Sequence, residues 1–198
     1  MTGTKDNQRS RYTKKMIRDS FFKLLRIKDI EAITVTDICR TAQINRGTFY
    51  RYYRNPFDLL QQQREQLFKE TLAFIKYRFN EGEHTILPAI FEVLKKEDAE
   101  VVKASLDRRY GSDFLEKIFA SCRETARPYI ISQIKWMTDE QFEYFYAFIT
   151  NGVIGTISLW VSQGMNPETG ELEADIMTIV RKSIEQMSQT AKLKEVKG

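Results

Sequence analysis

The chain has 198 residues, 42% hydrophobic and 29% charged, with a net charge of +4, one histidine and two cysteines. That composition fits a globular protein, as one domain or as a small head on a larger body. It excludes a disulfide framework and most histidine-built metal sites, and leaves only His84 for histidine-based catalysis.

The N-terminus lacks the apolar core of a signal peptide. The longest apolar stretches, such as residues 152–161, are too short for a bilayer span and carry polar residues, so a cytoplasmic protein with no membrane partner is expected. The small net charge hides an asymmetry. Residues 1–54 hold 13 Lys/Arg against 5 Asp/Glu, a net of +8; residues 55–198 hold 18 against 22, a net of −4. A basic head on an acidic body is the electrostatic footprint of a nucleic-acid binder, although basic segments also dock on membranes or merely solvate a surface. Cys39 and Cys122 lack metal-ligand spacing. Two reduced, half-buried thiols are expected, with a redox switch as the alternative.

Residues 1–11 are polar and predicted to be loose. A helix is predicted from Thr13, a plausible N-cap, to about Lys28, with Met16, Ile17, Phe21, Leu24 and Leu25 at helical spacing. Thr34 can cap a short second helix whose inward residues are Val35, Ile38 and Ala42. Gln43-Ile44-Asn45 interrupts it, and Asn45 can cap a third helix from Arg46 to Tyr52. Arg54-Asn55-Pro56 stops that helix, and Pro56 suits the first position of a long fourth helix reaching Asn80. Further helices are expected at about 85–96, 98–109, 112–135, 139–164 and 169–192. Asp98, Ser112 and Asp139 stand where N-caps belong; Gly111 and Gly164-Met165-Asn166-Pro167 stand where stops belong. Pro128 is expected to kink or divide the 112–135 segment. No strand alternation, internal repeat or low-complexity tract is visible, so the fold class is all-α.

Two short helices joined by a tight connection are the helix-turn-helix pattern, whose second helix enters the major groove and meets base edges with its first turn. Here that turn is Asn45-Arg46-Gly47-Thr48. Arg46 suits bidentate contact with guanine, Gly47 allows close backbone approach, and Thr48 suits a phosphate or a thymine methyl. Tyr50 and Tyr52 suit phosphates, while Phe49 and Tyr53 fall where the helix must pack. Taken alone, these tyrosines also suit a core, and Arg51 and Arg54 a solvated face.

The run Thr34-Val35-Thr36-Asp37-Ile38-Cys39-Arg40-Thr41-Ala42-Gln43-Ile44-Asn45-Arg46-Gly47-Thr48-Phe49-Tyr50-Arg51-Tyr52-Tyr53 resembles the DNA-binding motif of the tetracycline-repressor (TetR) family. The resemblance implies DNA contacts at Thr34, Thr36, Asn45, Arg46, Gly47, Thr48, Tyr50, Arg51 and Tyr52, with Lys14 as a further phosphate contact. It implies a DNA-binding domain at 1–55 and a helical dimerisation and effector-binding domain at 56–198. Two positions depart from the family pattern. Gln43 stands where a turn glycine is usual, and Pro56 where many members have a phosphate-binding lysine, a role left to Arg54 or Asn55.

The run from Phe145 to Met165 resembles the penultimate helix of a TetR-like subset common in Gram-positive bacteria. By that resemblance a homodimer forms through Ile149, Gly152, Gly155, Thr156, Leu159 and Trp160, with Ile176, Ile179, Val180, Ile184 and Met187 of the last helix. Packing of both stripes within one chain is the alternative. Two heads then face a palindromic double-stranded operator, and an effector in the body shifts the fourth helix and respaces them. Phe91, Phe119, Cys122, Tyr129, Phe145 and Phe148 are pocket candidates for a small apolar or aromatic effector, and each also suits an ordinary core. No cofactor or metal motif and no nucleophile–base pair is present, so an enzyme is not expected. The functional expectation is a DNA-binding regulator, a repressor released by a small molecule. The alternative is a ligand-free DNA-bound coactivator or interaction module of the same fold. His84 is expected in a solvated loop.

Overall fold

The computed structural model describes residues 3–83, 86–107, 113–134, 137–165 and 168–195. Among them are nine α-helices, one 3-10 turn and no strand: α1 Gly3–Leu25, the 3-10 turn Ile30–Ala32, α2 Val35–Ala42, α3 Arg46–Tyr50, α4 Pro56–Asn80, α5 Ile86–Lys96, α6 Ala99–Leu106, α7 Phe114–Gln133, α8 Asp139–Ser162 and α9 Thr169–Glu195. The expectations at His84, Gly111, Ser112, Asn166 and Pro167 lie outside the described residues. The chain forms two compact units, Met1–Gln66 with Ala99–Ser105, and Leu67–Asp98 with Leu106–Gly198.

The first unit is organised by aromatic burial. Phe21 on α1, Ile30 in the 3-10 turn, Ile38 on α2, Phe49 on α3 and Leu59 on α4 are all fully buried, each contributing about 1.5–3 kcal/mol by leaving water. Helix α1 starts ten residues earlier than expected. The reason lies in the Thr13 hydroxyl, which donates back to the Arg9 carbonyl at 2.9 Å, one turn up the same helix, instead of capping a new one. In α4, the buried Arg64 donates to the Ala104 carbonyl through Nε at 3.1 Å and through its terminal nitrogen at 2.6 Å. Ala104 lies in the last turn of α6, where carbonyls lack helical partners and a cation is favoured.

In the second unit α5 packs against α9 and α7, and α7 against α8. Phe91, Ile118, Phe142 and Ile157 are fully or almost fully buried there. Arg123 pairs with Glu143 and Arg127 with Asp139, and both guanidinium groups lie over the Phe142 ring, at 5.7 and 5.2 Å. Helix α8 is capped by Thr138, one residue before the expected Asp139, through a reciprocal capping box with Gln141. Helix α7 continues through Pro128 without dividing; the proline sits on an exposed face, where water can satisfy the Glu124 carbonyl that it leaves unbonded.

By length and composition alone α8 is long and apolar enough to cross a bilayer, a test that a core helix also passes. Its apolar residues divide between two faces. Phe142, Phe145, Tyr146, Val153, Ile154, Ile157 and Trp160 are buried in the unit, whereas Tyr144, Phe148 and Leu159 are exposed. A core helix with one uncovered face accounts for this pattern.

The connection from α2 to α3 depends on Gln43, at φ 53° and ψ 43°. Its N–H reaches the Arg40 carbonyl at 3.4 Å and the Ile44 N–H reaches the Cys39 carbonyl at 3.0 Å, the paired bonds of a Schellman stop. A left-handed backbone costs an L-residue about 1–2 kcal/mol, and glycine loses about 0.5–1 kcal/mol more chain entropy on ordering. Gln43→Gly should therefore stabilise the protein by about 0.5–1 kcal/mol, read as a higher urea midpoint at unchanged slope. An unchanged or lower midpoint would show that Gln43 makes compensating contacts.

Candidate nucleic-acid interface

Four residues hold the frame of α2. Thr34 accepts from the Asp37 N–H at 3.1 Å, while Asp37 accepts from the Thr34 N–H at 3.1 Å and from its hydroxyl at 2.8 Å. Lys28 donates to the same Asp37 oxygen at 2.7 Å, and Arg40 donates to the other at 2.9 Å. The Lys28 ammonium, then the Thr34 hydroxyl and N–H, hold the Asp37 carboxyl well below the usual carboxylate range. The sequence reading assigned Thr34 to DNA; its hydroxyl is engaged in this cap.

Helix α3 begins from Asn45, whose Oδ1 accepts from the Thr48 N–H at 2.7 Å and from the Thr48 hydroxyl at 2.9 Å. Phe49 is fully buried and Tyr53 nearly so, and their rings meet at 5.7 Å. With Phe49 inward, Arg46, Gly47, Tyr50 and Arg51 are exposed. Arg46 donates to the Thr36 hydroxyl at 2.6 Å, bridging α3 to α2 on the solvent side. A Cβ at Gly47 would meet only Asn45 Oδ1, at 3.4 Å, so the fold itself has room for a side chain there. Tyr52 is half-buried, with the Lys14 ammonium 5.6 Å from its ring centre.

The longer α1 builds a feature that the sequence did not reveal. Arg9, Ser10 and Thr13 form one wall of a polar groove of about 870 Å3, and Gln43, Ile44, Asn45, Thr48, Arg51 and Tyr52 form the other. Arg9 and Ser10 were missed because the polar run 1–11 has no apolar periodicity to mark it as helix. Two suggested substitutes for the absent lysine are occupied. Arg54 binds Asp58 through its backbone N–H at 2.8 Å and through its guanidinium at 2.9 Å, and the Asn55 side chain caps α4 by accepting from the Asp58 N–H at 2.8 Å.

In the second unit the expected interface residues divide. Gly152, Gly155, Thr156, Leu159 and Ile179 are exposed, and a Cβ at either glycine would meet nothing within 4 Å. Ile149, Val180, Ile184 and Met187 are half-buried, whereas Trp160 and Ile176 are buried within their own chain. The exposed residues of α8, with Tyr144 and Phe148 at 67% and 75% exposure, line one side of that helix at helical spacing, and Ile179 is exposed on α9. Of the six pocket candidates, Phe119, Tyr129 and Phe145 line a cavity of about 100 Å3 with Ile86, Leu87, Ala126, Ile130, Tyr146, Ile149, Thr150, Met177, Val180 and Ile184. Phe91 and Cys122 are buried elsewhere in the core, and Phe148 faces outward. Both thiols are fully buried rather than half-buried; burial raises the pKa of each, that of Cys122 to about 11, which keeps them protonated.

Residues 83–183 match the family model of a TetR-type transcriptional regulator C-terminal region. No curated protein matches the chain in sequence. Among solved structures, the chain is similar to the dihydroxyacetone kinase operon activator DhaS, at 21% identity and a TM-score of 0.62, over 87% of this chain and 96% of that one. It is also similar to the fatty acid degradation regulator FadR from Bacillus halodurans, at 15% identity and a TM-score of 0.66, over 85% and 94% of the two chains. At these identities the likeness is one of fold.

Because the Asp37 carboxyl is more acidic folded than unfolded, the stability it contributes is present above about pH 4 and is lost as pH falls below that value. Asp37→Asn should lower the urea midpoint at pH 7 and flatten its decline between pH 5 and pH 2. A mutant that matches the wild-type decline would remove Asp37 from the head's acid sensitivity.

Proposed function

The chain belongs to the TetR-like transcriptional regulators, and from that premise we propose that it is a sequence-specific DNA-binding homodimer, without enzymatic activity, that acts in the cytoplasm as a repressor released by a small-molecule effector. In this reading residues 1–55 read DNA and residues 56–198 dimerise and sense. The observation that carries the DNA-binding part is the orientation of α3: Phe49 is buried while Arg46, Gly47, Tyr50 and Arg51 face solvent together, beside Thr36. Base-edge contact falls to Arg46 with Thr48, and phosphate contact to Thr36, Asn45, Tyr50, Arg51 and Tyr52, while Thr34 keeps both its donors on Asp37. The family match and the basic head support the same reading.

Dimerisation is supported by the uncovered side of α8. Gly152 and Gly155 leave open space for a partner helix between Phe148 and Leu159, and Ile179 of α9 adds apolar surface. Val180, Ile184 and Met187 flank it, while Trp160 and Ile176 support it from within. We also place the chain in the subset common in Gram-positive bacteria, on the residues of α8 that resemble it. The same apolar strip would serve a protein partner if the chain were a ligand-free coactivator; in that case the isolated protein stays monomeric.

Selection of binding sites from a random duplex library at a stated moderate salt concentration tests the function. A palindrome with half-site centres about 34–36 Å apart is expected. No consensus, with affinity collapsing as salt rises, would leave only non-specific phosphate binding. On the selected site, Arg46→Ala should cost about 1–3 kcal/mol at one base pair of each half-site and spare non-cognate duplexes; equal weakening on all sequences would make Arg46 a phosphate contact. Gly47→Ala should leave the melting temperature unchanged or slightly raised, because alanine favours helix by about 1 kcal/mol, while weakening operator binding at least about tenfold through lost backbone approach. Full affinity in Gly47→Ala would show that DNA does not approach α3 there.

A further inference from the structure

The polar groove of the first unit is lined on one side by α1, where Arg9 and Thr13 stand one turn apart with Ser10 beside them, and on the other by the α2–α3 turn and α3. Its volume of about 870 Å3 lies within the range of ligand sites, about 300–1,000 Å3, yet such sites are mostly apolar. Here Ile44 is the one aliphatic residue among the described walls. No described wall residue is acidic, and two arginines, Arg9 and Arg51, stand on opposite walls. Four other cations of the head are tied to carboxylates: Arg18 to Asp19, Lys28 and Arg40 to Asp37, and Arg54 to Asp58. The Thr13 and Thr48 hydroxyls donate within the fold, to the Arg9 carbonyl and to Asn45 Oδ1, so the strongest donors of the groove are its two guanidinium groups. A half-open polar space with that lining favours an anion, and one long enough to meet both walls.

Gln43 supplies a second, independent observation. It holds a left-handed backbone, φ 53° and ψ 43°, that glycine would hold at lower cost. Strain of this kind clusters where a side chain is put to use, and Gln43 is exposed and lines the groove on the wall across from α1. Its amide offers two N–H donors without a charge. Asn45, Thr48 and Arg51 belong both to this groove and to α3 or its ends, so an anion lying in the groove lies beside whatever α3 meets. We propose that the groove holds the sugar-phosphate backbone of one DNA strand, gripped by Arg9 from α1 and by Gln43 and Arg51 from the other side, and that a glutamine is kept at the strained turn for that contact. The grip carries no base information; it fixes the register of α3 on the duplex. The proposal rests on the DNA-binding reading above, and it adds Arg9 and Gln43 to the residues that meet DNA.

Fluorescence anisotropy of the full chain on its selected duplex and on a scrambled duplex, between about 50 and 200 mM salt, reads the groove. Arg9→Ala should weaken both duplexes alike, about tenfold at the low-salt end, and flatten the dependence of log affinity on log salt by about 1 per head. Gln43→Gly should weaken both about fivefold with the salt dependence unchanged, since an amide releases no counterion, while raising the urea midpoint. If that variant fails to fold, Gln43→Asn, which tolerates the left-handed backbone but reaches less far, should weaken binding in the same way. Duplexes with one phosphate at a time replaced by a neutral methylphosphonate separate contact from a displaced α3. For each variant, the replacement at one position per half-site should weaken the wild type and cost the variant nothing further. A Gln43→Gly loss that keeps its full size on every such duplex, or no loss at all, overturns the role of Gln43. Unchanged affinity and salt dependence in Arg9→Ala, or a loss confined to the selected duplex, overturns the grip on the backbone. Wild type that binds no duplex at any salt takes down the DNA-binding reading and the groove together; wild type that binds its selected duplex no better than Arg9→Ala takes down the groove alone.

Discussion

A helix of five residues cannot hold its own shape in water, because nucleation costs more than so few hydrogen bonds return. Helix α3 has that length, and everything proposed for the head depends on how it is anchored. Two constraints act at its start and its middle. Asn45 captures both the N–H and the hydroxyl of Thr48, and Phe49 is driven fully into the core against Tyr53. Once Phe49 points inward, a rotation of about 100° per residue turns Gly47 and Tyr50 away from the core, whereas Arg46, three residues before Phe49, shares its side of the helix and is exposed at the helix's first position, where it reaches Thr36. Burying one aromatic ring therefore orients part of the exposed face of α3. The Schellman stop at Gln43 then sets where α3 leaves α2, and the Thr34–Asp37–Lys28 cluster holds α2 at its other end.

The side chains around that frame divide by commitment. Arg54 and Asn55 are bound to Asp58 and belong to the start of α4. Arg46 holds the Thr36 hydroxyl across a solvent-exposed bridge. Such a bridge is worth little in water; in the proposed complex it would be exchanged for a base edge, after restricting the arginine beforehand. Arg9 and Arg51, on opposite walls of the polar groove, add charge on either side of the reading surface.

The second unit poses the reverse problem, since α8 carries more apolar surface than one chain covers. One face is spent on the core and the other leaves Tyr144, Phe148 and Leu159 in solvent, with two glycines between them. An uncovered strip of this kind is costly unless something packs on it, and the proposed homodimer would cover it with a second copy of the same pair of helices. The small cavity lies behind this strip, with residues of α8 and α9 serving both.

The all-α class, the order of the helices and the residues of α3 could be read from the chain, because apolar periodicity, N-cap residues and the dense motif at 34–53 are local signals. Local signals also misled in places. Thr13 has the right chemistry for a cap and instead back-bonds to Arg9, a choice settled by whether the preceding polar residues continue the helix. Trp160 and Ile176 share helical stripes with exposed neighbours, yet are buried within their own chain, and Phe148 faces outward while Phe119, Tyr129 and Phe145 meet at one cavity. Periodicity tells which residues lie on one side of a helix; it does not tell which of several neighbouring elements that side will meet. What the sequence by itself determined was therefore the helices, the turn between α2 and α3 and the exposed face of α3. What only the tertiary structure decided was which apolar residues are consumed by the core, which line a void and which remain exposed, because that depends on the packing of helices far apart in the chain.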